Sequence, residues 1–257
     1  MAVPSIRYVS QGGRGFGFEQ IEGVDWDAYK SAVTALDAKM QEISAAVRAN
    51  TMSFEQAKRD IAGLIKTYDP LQYVNTVRVP KDTLIDLSPC GIHHSWEEDL
   101  NSIPLGNVLY EIQLNRMDDE STIRAYDKGK MKPDGTLRPL QIDEYFEFAD
   151  RSNEANDPQT HMRKPRLVRK DGGITYERIL ETKYYSMDRV RMQGTAGDFS
   201  ESIDTFRHVF VRAGSVTLTS GGHTLAVTAG HSAFVPASCR TYVIRPRDAV
   251  TELLISY

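Results

Sequence analysis

The chain has 257 residues, of which 40% are hydrophobic, which is enough for one large domain or two small ones with real cores. A formal net charge of −4 excludes the strongly basic surface typical of proteins that bind nucleic acid or anionic membranes. Because no apolar run approaches the ~20 residues of a membrane span and no hydrophobic signal core opens the chain, we expect a cytoplasmic protein. The two cysteines, Cys90 and Cys239, form no C-x-x-C pair, which excludes a thiolate zinc knuckle and favours free thiols.

The N-terminal quarter of the chain is glycine-rich and then helical in pattern. Residues 6–9 favour a short strand. The glycines that follow lack the flanking strand and the Lys-Ser/Thr of a phosphate-binding loop, so we predict a glycine-rich hairpin there. Residues 25–68 predict two helices, because apolar side chains recur every three or four residues. Asp25 stands at the first helix start, and Ser53 with Gln56 has the spacing of a capping box at the second.

From residue 73 onward, apolar residues recur at every second position, as in strands. Strands are predicted over 74–79, 83–87, 107–115 and 122–126, and a helix over 139–148. Residues 151–166 are polar and interrupted by proline, which favours a linker. Residues 174–257 contain many short apolar runs, with Gly221-Gly222 as a hairpin turn, and this pattern is typical of a sandwich or barrel.

Two of these segments carry residues suited to chemistry. In the predicted strand 107–115, Glu111 and Gln113 lie on the polar face, which is either the wet face of an open sheet or the lining of a closed barrel. His93 and His94 follow a Pro-Cys-Gly turn. Imidazole is a common metal ligand, but adjacent strand residues point to opposite faces. The pair therefore supplies at most one metal ligand. The alternative is that the histidines pack or face solvent without binding a metal.

Four short segments occur in a defined order: 91–94 (Gly-Ile-His-His), 109–113 (Leu-Tyr-Glu-Ile-Gln), 122–127 (Thr-Ile-Arg-Ala-Tyr-Asp) and 138–140 (Arg-Pro-Leu). In order and spacing they resemble the type I phosphomannose isomerases, a family of the cupin superfamily. The C-terminal strands are similar to that family's metal-free final cupin, and residues 25–68 sit where it carries a helical insertion.

The resemblance implies a mainly β fold of two cupin (jelly-roll) modules with an inserted α-helical hairpin and a linking helix. Residues 1–150 would form an incomplete first cupin module with the insertion at 25–68. Residues 151–166 would form the linker, and residues 167–257 a C-terminal metal-free cupin module.

The resemblance also implies an enzyme: an aldose–ketose isomerase that converts mannose 6-phosphate to fructose 6-phosphate by metal-assisted proton transfer through an enediol. It assigns the metal, zinc or a similar divalent ion, to His94, with His93 as the weaker alternative. Further assignments follow from matching positions: catalytic roles for Arg124 and Glu111, and substrate binding for Gln113, Lys128 and Lys130.

The chain also departs from the family pattern. The family's Gln-x-His pair and a further Glu, which complete its metal site, precede the helical insertion, whereas the one Gln-x-His here, at residues 159–161, is out of order and is interpreted as accidental. Three explanations stay open. A companion chain or a missing N-terminal segment completes the site, which we favour; a reduced ligand set uses Glu111 or Gln113; or the protein is a non-catalytic cupin that binds sugar or a partner protein.

Overall fold

The computed structural model describes residues 5–11, 14–19, 24–79, 82–86, 93–96, 108–113, 123–194 and 196–257. Its architecture is the predicted one: a mainly β, cupin-like fold with an inserted helical hairpin. The chain divides into two compact units, Met1–Met162 and Arg163–Tyr257. In the described ranges no helix is long and apolar enough to cross a membrane.

The predicted helical pair is confirmed as α1 (Trp26–Arg48) and α2 (Phe54–Tyr68). Asp25 begins α1, where its carboxylate accepts the Ala28 N–H at 2.8 Å. Ser53 begins α2 and accepts the Gln56 N–H at 3.2 Å. The Gln56 side chain donates to Asp60 at 2.6 Å. It therefore points along its own helix rather than back to Ser53 as in a full capping box.

The strands of the first unit form two sheets. They are β1 (Ser5–Gln11), β2 (Arg14–Glu19), β3 (Val74–Val79), β4 (Leu84–Asp86), β5 (His93–Trp96), β6 (Val108–Gln113) and β7 (Met162–Arg163). One sheet has the order β6-β1-β4-β7 and the other β3-β2-β5.

Strands β1 and β2 belong to different sheets. Strand β1 lies between β6 and β4, whereas β2 lies between β3 and β5. The predicted hairpin is therefore wrong: each strand has a partner on both sides, and the chain changes sheets between them.

Three short helices lie between β6 and β7: α3 (Ile142–Phe148), α4 (Asn153–Asn156) and α5 (Pro158–His161). A 3₁₀ helix, Pro70–Tyr73, precedes β3. The predicted linker 151–166 thus contains α4, α5 and β7. His161 is fully buried, with Nδ1 2.8 Å from the Asp86 carbonyl oxygen and Nε2 2.6 Å from that of Ala155. Both ring nitrogens face backbone oxygens, so this histidine fastens α5 to β4.

The second unit is built of two antiparallel sheets. Its strands are β8 (Arg166–Asp171), β9 (Ile174–Glu181), β10 (Ser186–Gln193), β11 (Phe199–Ser202), β12 (Arg207–Ala213), β13 (Ser215–Ser220), β14 (His223–Thr228), β15 (Ser232–Val235), β16 (Thr241–Pro246) and β17 (Val250–Ser256). The sheet orders are β15-β12-β17-β10-β9-β8 and β11-β16-β13-β14. Gly221 and Gly222, with φ of 56° and 78°, close the predicted β13–β14 hairpin.

Alternate residues of both sheets face one apolar core. The six-stranded sheet contributes Val190, Val209 and Leu253, and the four-stranded sheet contributes Val216 and Ile244, each completely buried. This inward alternation is what the period of two in the sequence predicts for packed antiparallel sheets.

Candidate functional site

The cationic loop, residues 124–141, carries three of the predicted site residues: Arg124, Lys128 and Lys130. The sequence predicts a strand over 122–126, but the described residues from 123 onward are irregular, so this prediction is wrong. The reason is local. The backbone of Arg124 is bonded to Gln141, which donates its N–H to the Arg124 carbonyl at 2.9 Å, instead of to a neighbouring strand.

The cationic loop packs on the helical pair through apolar side chains. Ala125, 3% exposed, joins Tyr29 and Val33 of α1 and Phe146 of α3 in one buried cluster. A second cluster contains Leu36 and Met40 of α1 and Ile61 of α2, against which the loop side chains Tyr126, Met131 and Leu137 pack. The inserted helices are therefore the platform that holds the loop.

The far end of the cationic loop is fastened to α1 by a buried hydrogen bond. The Ser44 hydroxyl, near the C-terminal end of α1, donates to the Gly135 carbonyl at 2.7 Å. Nearer its start, the loop turns through Lys128 and Gly129, both in the left-handed region with φ of 53° and 59°. The glycine is required, because a Cβ at residue 129 would lie 2.3 Å from Ile61 Cγ2 and 2.9 Å from Met40 Sδ.

We expect Gly129→Ala to destabilise the first unit by about 2–4 kcal/mol, from left-handed backbone strain together with overpacking against α2. Gly63→Ala is the matched control, because Gly63 lies inside α2 with no atom within 4 Å of the added methyl group. The control should stabilise the helix by about 0.5–1 kcal/mol. Urea unfolding followed by circular dichroism at the helix band measures both. Equal effects of the two substitutions would contradict the close packing of the loop.

Positive charge dominates the cationic loop. It contains five basic residues against two acidic ones, a difference of three positive charges. One of the two carboxylates, Asp127, pairs with Arg138, with 3.4 Å between Asp127 Oδ2 and Arg138 Nε. The other carboxylate, Asp134, accepts two hydrogen bonds from Thr136, and these lower its pKa. Lys130 is exposed and Lys128 is half-buried. A rigid loop with excess positive charge is suited to an anionic ligand such as a phosphate ester.

The other predicted site residues lie on strands of two different sheets. His93 and His94 are on β5, paired with Phe18 and Gly17 of β2. Glu111 and Gln113 are on β6, where Glu111 pairs with Arg7 of β1. The Glu111 side chain is exposed, whereas the side chains of both histidines and of Gln113 lie outside the described part of the structure. Their convergence with Arg124 stays a prediction.

The described residues do not form a metal site. Among them, no three His, Cys, Asp or Glu side chains are grouped so that they could hold an ion. The first-row divalent metals need three or four such ligands. The predicted zinc site therefore finds no ligand set within this part of the chain.

A second set of charged residues, which the sequence analysis missed, lies inside the second unit. This polar network consists of seven side chains: Tyr176, Arg178, Asp188, Glu201, Arg207, Tyr242 and Tyr257. At its centre Asp188, 1% exposed, accepts hydrogen bonds from the hydroxyls of Tyr176 at 2.6 Å and Tyr257 at 3.0 Å, and from Arg178 Nε. The remaining nitrogens of Arg178 contact Tyr257 and Glu181.

The other half of the polar network is built around Arg207. Its guanidinium is bonded to Glu201 at 3.3 Å and lies 3.8 Å from the centre of the Tyr257 ring. Tyr242 donates to Glu201 at 2.7 Å. Burial, reinforced by Asp188, raises the pKa of Tyr257 to about 12, and burial beside Glu201 also raises the pKa of Tyr242. The phenols thus stay protonated and keep donating to the carboxylates.

The polar network holds its charged groups in a closed set of mutual bonds. Asp188 accepts from three donors, and Arg178 donates in three directions. This arrangement fixes the positions of these side chains within the second unit. The available sequence signal was the spacing of Tyr176 and Arg178, two residues apart on one strand, which places both on the same face.

Comparison with known proteins supports the fold, whereas comparison at the level of sequence finds no match. No protein-family model matches the chain. No curated protein matches it significantly.

Solved structures match over nearly the whole chain. The mannose 6-phosphate isomerase from Bacillus subtilis superposes with a TM-score of 0.63 and 14% identity, covering 99% of this chain and 64% of that one. Two mutants of the phosphomannose isomerase from Salmonella typhimurium, each with one residue changed to alanine, give TM-scores of 0.59 at 13% and 14% identity. They cover 99% of this chain and 68% and 66% of theirs. The chain therefore has the fold of these isomerases and spans about two thirds of their length.

Proposed function

We propose that this chain acts in a sugar-phosphate isomerase that interconverts mannose 6-phosphate and fructose 6-phosphate. The observation that carries the proposal is the likeness of fold to such isomerases over 99% of the chain, combined with the rigid cationic loop that presents Arg124. The fold alone hosts many chemistries, so the argument depends on the site.

The reaction moves a proton from C2 of the aldose to C1 through a cis-enediol, while negative charge develops on the sugar oxygen. In our proposal Glu111, an exposed carboxylate, is the base that removes and returns this proton. The positively charged guanidinium of Arg124 stabilises the enediolate oxygen. Lys128 and Lys130 bind the phosphate, and Gln113 binds a sugar hydroxyl.

A divalent metal such as zinc is part of the proposal as a cofactor that would polarise the substrate oxygens. His94 would supply one ligand. The described residues provide no complete set of ligands. In our proposal the remaining ligands come from a companion polypeptide. We assign no step of the proton transfer to the metal.

The test is the direct conversion of mannose 6-phosphate to fructose 6-phosphate by the purified chain loaded with one equivalent of zinc. It is run with the chain alone and with any companion polypeptide that copurifies with it. Turnover in either case supports the proposal. Its absence in both rejects this substrate, and a panel of other sugar phosphates would then test a different isomerase or an epimerase. Binding of sugar without turnover of any substrate would support the non-catalytic cupin.

A further inference from the structure

Gln141 is bonded to both sides of one residue of the cationic loop. Its backbone N–H donates to the Arg124 carbonyl at 2.9 Å, and its side-chain Oε1 accepts the Arg124 N–H at 3.3 Å. The two bonds use both hydrogen-bonding groups of the Arg124 main chain. An irregular segment such as this has no ladder of strand bonds to fix its dihedral angles, so this pair of bonds takes that role.

The position of Gln141 makes the use of its side chain unusual. It is the residue before α3, where a side chain ordinarily caps the free N–H groups of its own helix. Within the described part of the chain, the Gln141 side chain makes no such capping bond. Its oxygen is directed instead to a residue 17 positions earlier. The Gln141 side chain thus links the two ends of the cationic loop.

The rest of the cationic loop is held independently of Gln141. Asp127 and Arg138 form an ion pair, Met131 bridges to Leu137, and the Ser44 hydroxyl fastens Gly135 to α1. These contacts fix the middle and the far end of the loop. At the start of the loop, buried Ala125 packs on α1 and α3, and Gln141 binds the main chain of Arg124.

We propose that Gln141 is a positioning residue that sets the direction of the Arg124 side chain by holding its peptide groups on both sides. This inference rests on the proposed function, in which Arg124 stabilises the enediolate. Small displacements of a charged group from a developing charge are costly: a shift of ~1 Å can reduce catalysis by ~10²-fold. The main-chain bonds of Arg124 therefore control how well its guanidinium meets the sugar oxygen.

Two substitutions of similar size separate the hydrogen bond from the bulk of the side chain. Gln141→Met removes the acceptor, whereas Gln141→Glu keeps an oxygen at the same place. In Gln141→Met we expect hydrogen exchange of the Arg124 amide to become about tenfold faster, the effect of losing one typical hydrogen bond. We expect kcat for mannose 6-phosphate to fall about tenfold with little change in KM. Gln141→Glu should restore both values to those of the unaltered protein.

Gln72→Met is the matched control, because the Gln72 side-chain amide donates to carbonyls of its own turn, that of Tyr68 at 3.3 Å and that of Asp69 at 3.1 Å. It should leave both readouts unchanged. Unaltered exchange of the Arg124 amide in Gln141→Met would overturn the inference whatever the activity. Faster exchange with unchanged kcat would overturn the positioning role. No turnover in the unaltered protein would reject the isomerase proposal itself, and the exchange data would still decide whether Gln141 holds the loop.

Discussion

Replacing Arg124 with alanine is expected to lower kcat for mannose 6-phosphate by about 10²–10³-fold, the usual effect of removing one group that stabilises developing negative charge. The loss should fall on kcat more than on KM, because the enediolate oxygen is fully charged only along the reaction path. Arg124→Lys keeps the charge but not the planar pair of donors, so it should recover part of the rate. Steady-state kinetics on both variants measures these effects.

Arg59→Ala is the control for the loss of one guanidinium. Arg59 lies on α2, where it donates to Gln56 of the same helix at 2.8 Å on an exposed face. This variant should retain full activity. Equal kinetics for Arg124→Ala and Arg59→Ala would remove Arg124 from the mechanism. A loss of helix signal in Arg124→Ala would instead indicate disruption of the loop, so circular dichroism accompanies the assay.

The helical pair and the second unit were the parts of the fold most open to prediction. The apolar stripes of residues 25–68 match α1 and α2 because each helix buries one face, with Tyr29, Val33 and Leu36 buried at three- and four-residue steps. In the second unit the period of two matches because alternate side chains meet in one core. The predicted strand 74–79 coincides with β3, whose end residues Val74 and Val79 are both buried.

The start of the cationic loop could not be predicted, because its backbone partner is far away in the sequence. Residues 122–126 have the composition of a strand, yet the Arg124 main chain is bonded to Gln141, 17 positions later. Likewise, nothing local shows that Ser44 of α1 meets Gly135, 91 positions away. Periodicity reports which face of an element is buried. It does not report which distant segment covers that face.

The sequence predicts residue types for the candidate site but not its geometry, and the roles of those residues stay a prediction. Family-like motifs pointed to Arg124, Lys128 and Lys130, and the structure places all three in one loop. The polar network around Asp188 was missed, because a single Asp in a strand is expected to face solvent. Its partners, Tyr176 and Arg178 of β9 and the C-terminal Tyr257, lie on other segments of the chain. Burial of a charged group depends on long-range pairing, which the pattern of one strand does not contain.

Replacing Asp188 with alanine should produce the largest loss of stability in the second unit, about 3–5 kcal/mol. The side chain is 1% exposed and accepts three hydrogen bonds, so its removal leaves the Arg178 guanidinium and the hydroxyls of Tyr176 and Tyr257 without their shared acceptor. Most of this loss of stability arises because buried hydrogen-bond donors are left without an acceptor, and less of it arises from the lost electrostatic attraction. Asp188→Asn keeps one oxygen and should cost less.

Asp198→Ala is the matched control on the same unit. Asp198 also pairs with an arginine, Arg245, with Arg245 Nε 2.9 Å and Nη2 2.7 Å from its oxygens, but this pair lies on the surface. Solvent screens an exposed ion pair, so its loss should be close to neutral. Hydrogen exchange of the β9, β10 and β17 amides under urea measures the opening free energy of this unit alone. Equal loss of amide protection in Asp188→Ala and Asp198→Ala would contradict the role of Asp188 as the centre of a buried network. Apolar packing alone would then account for the stability of the second unit.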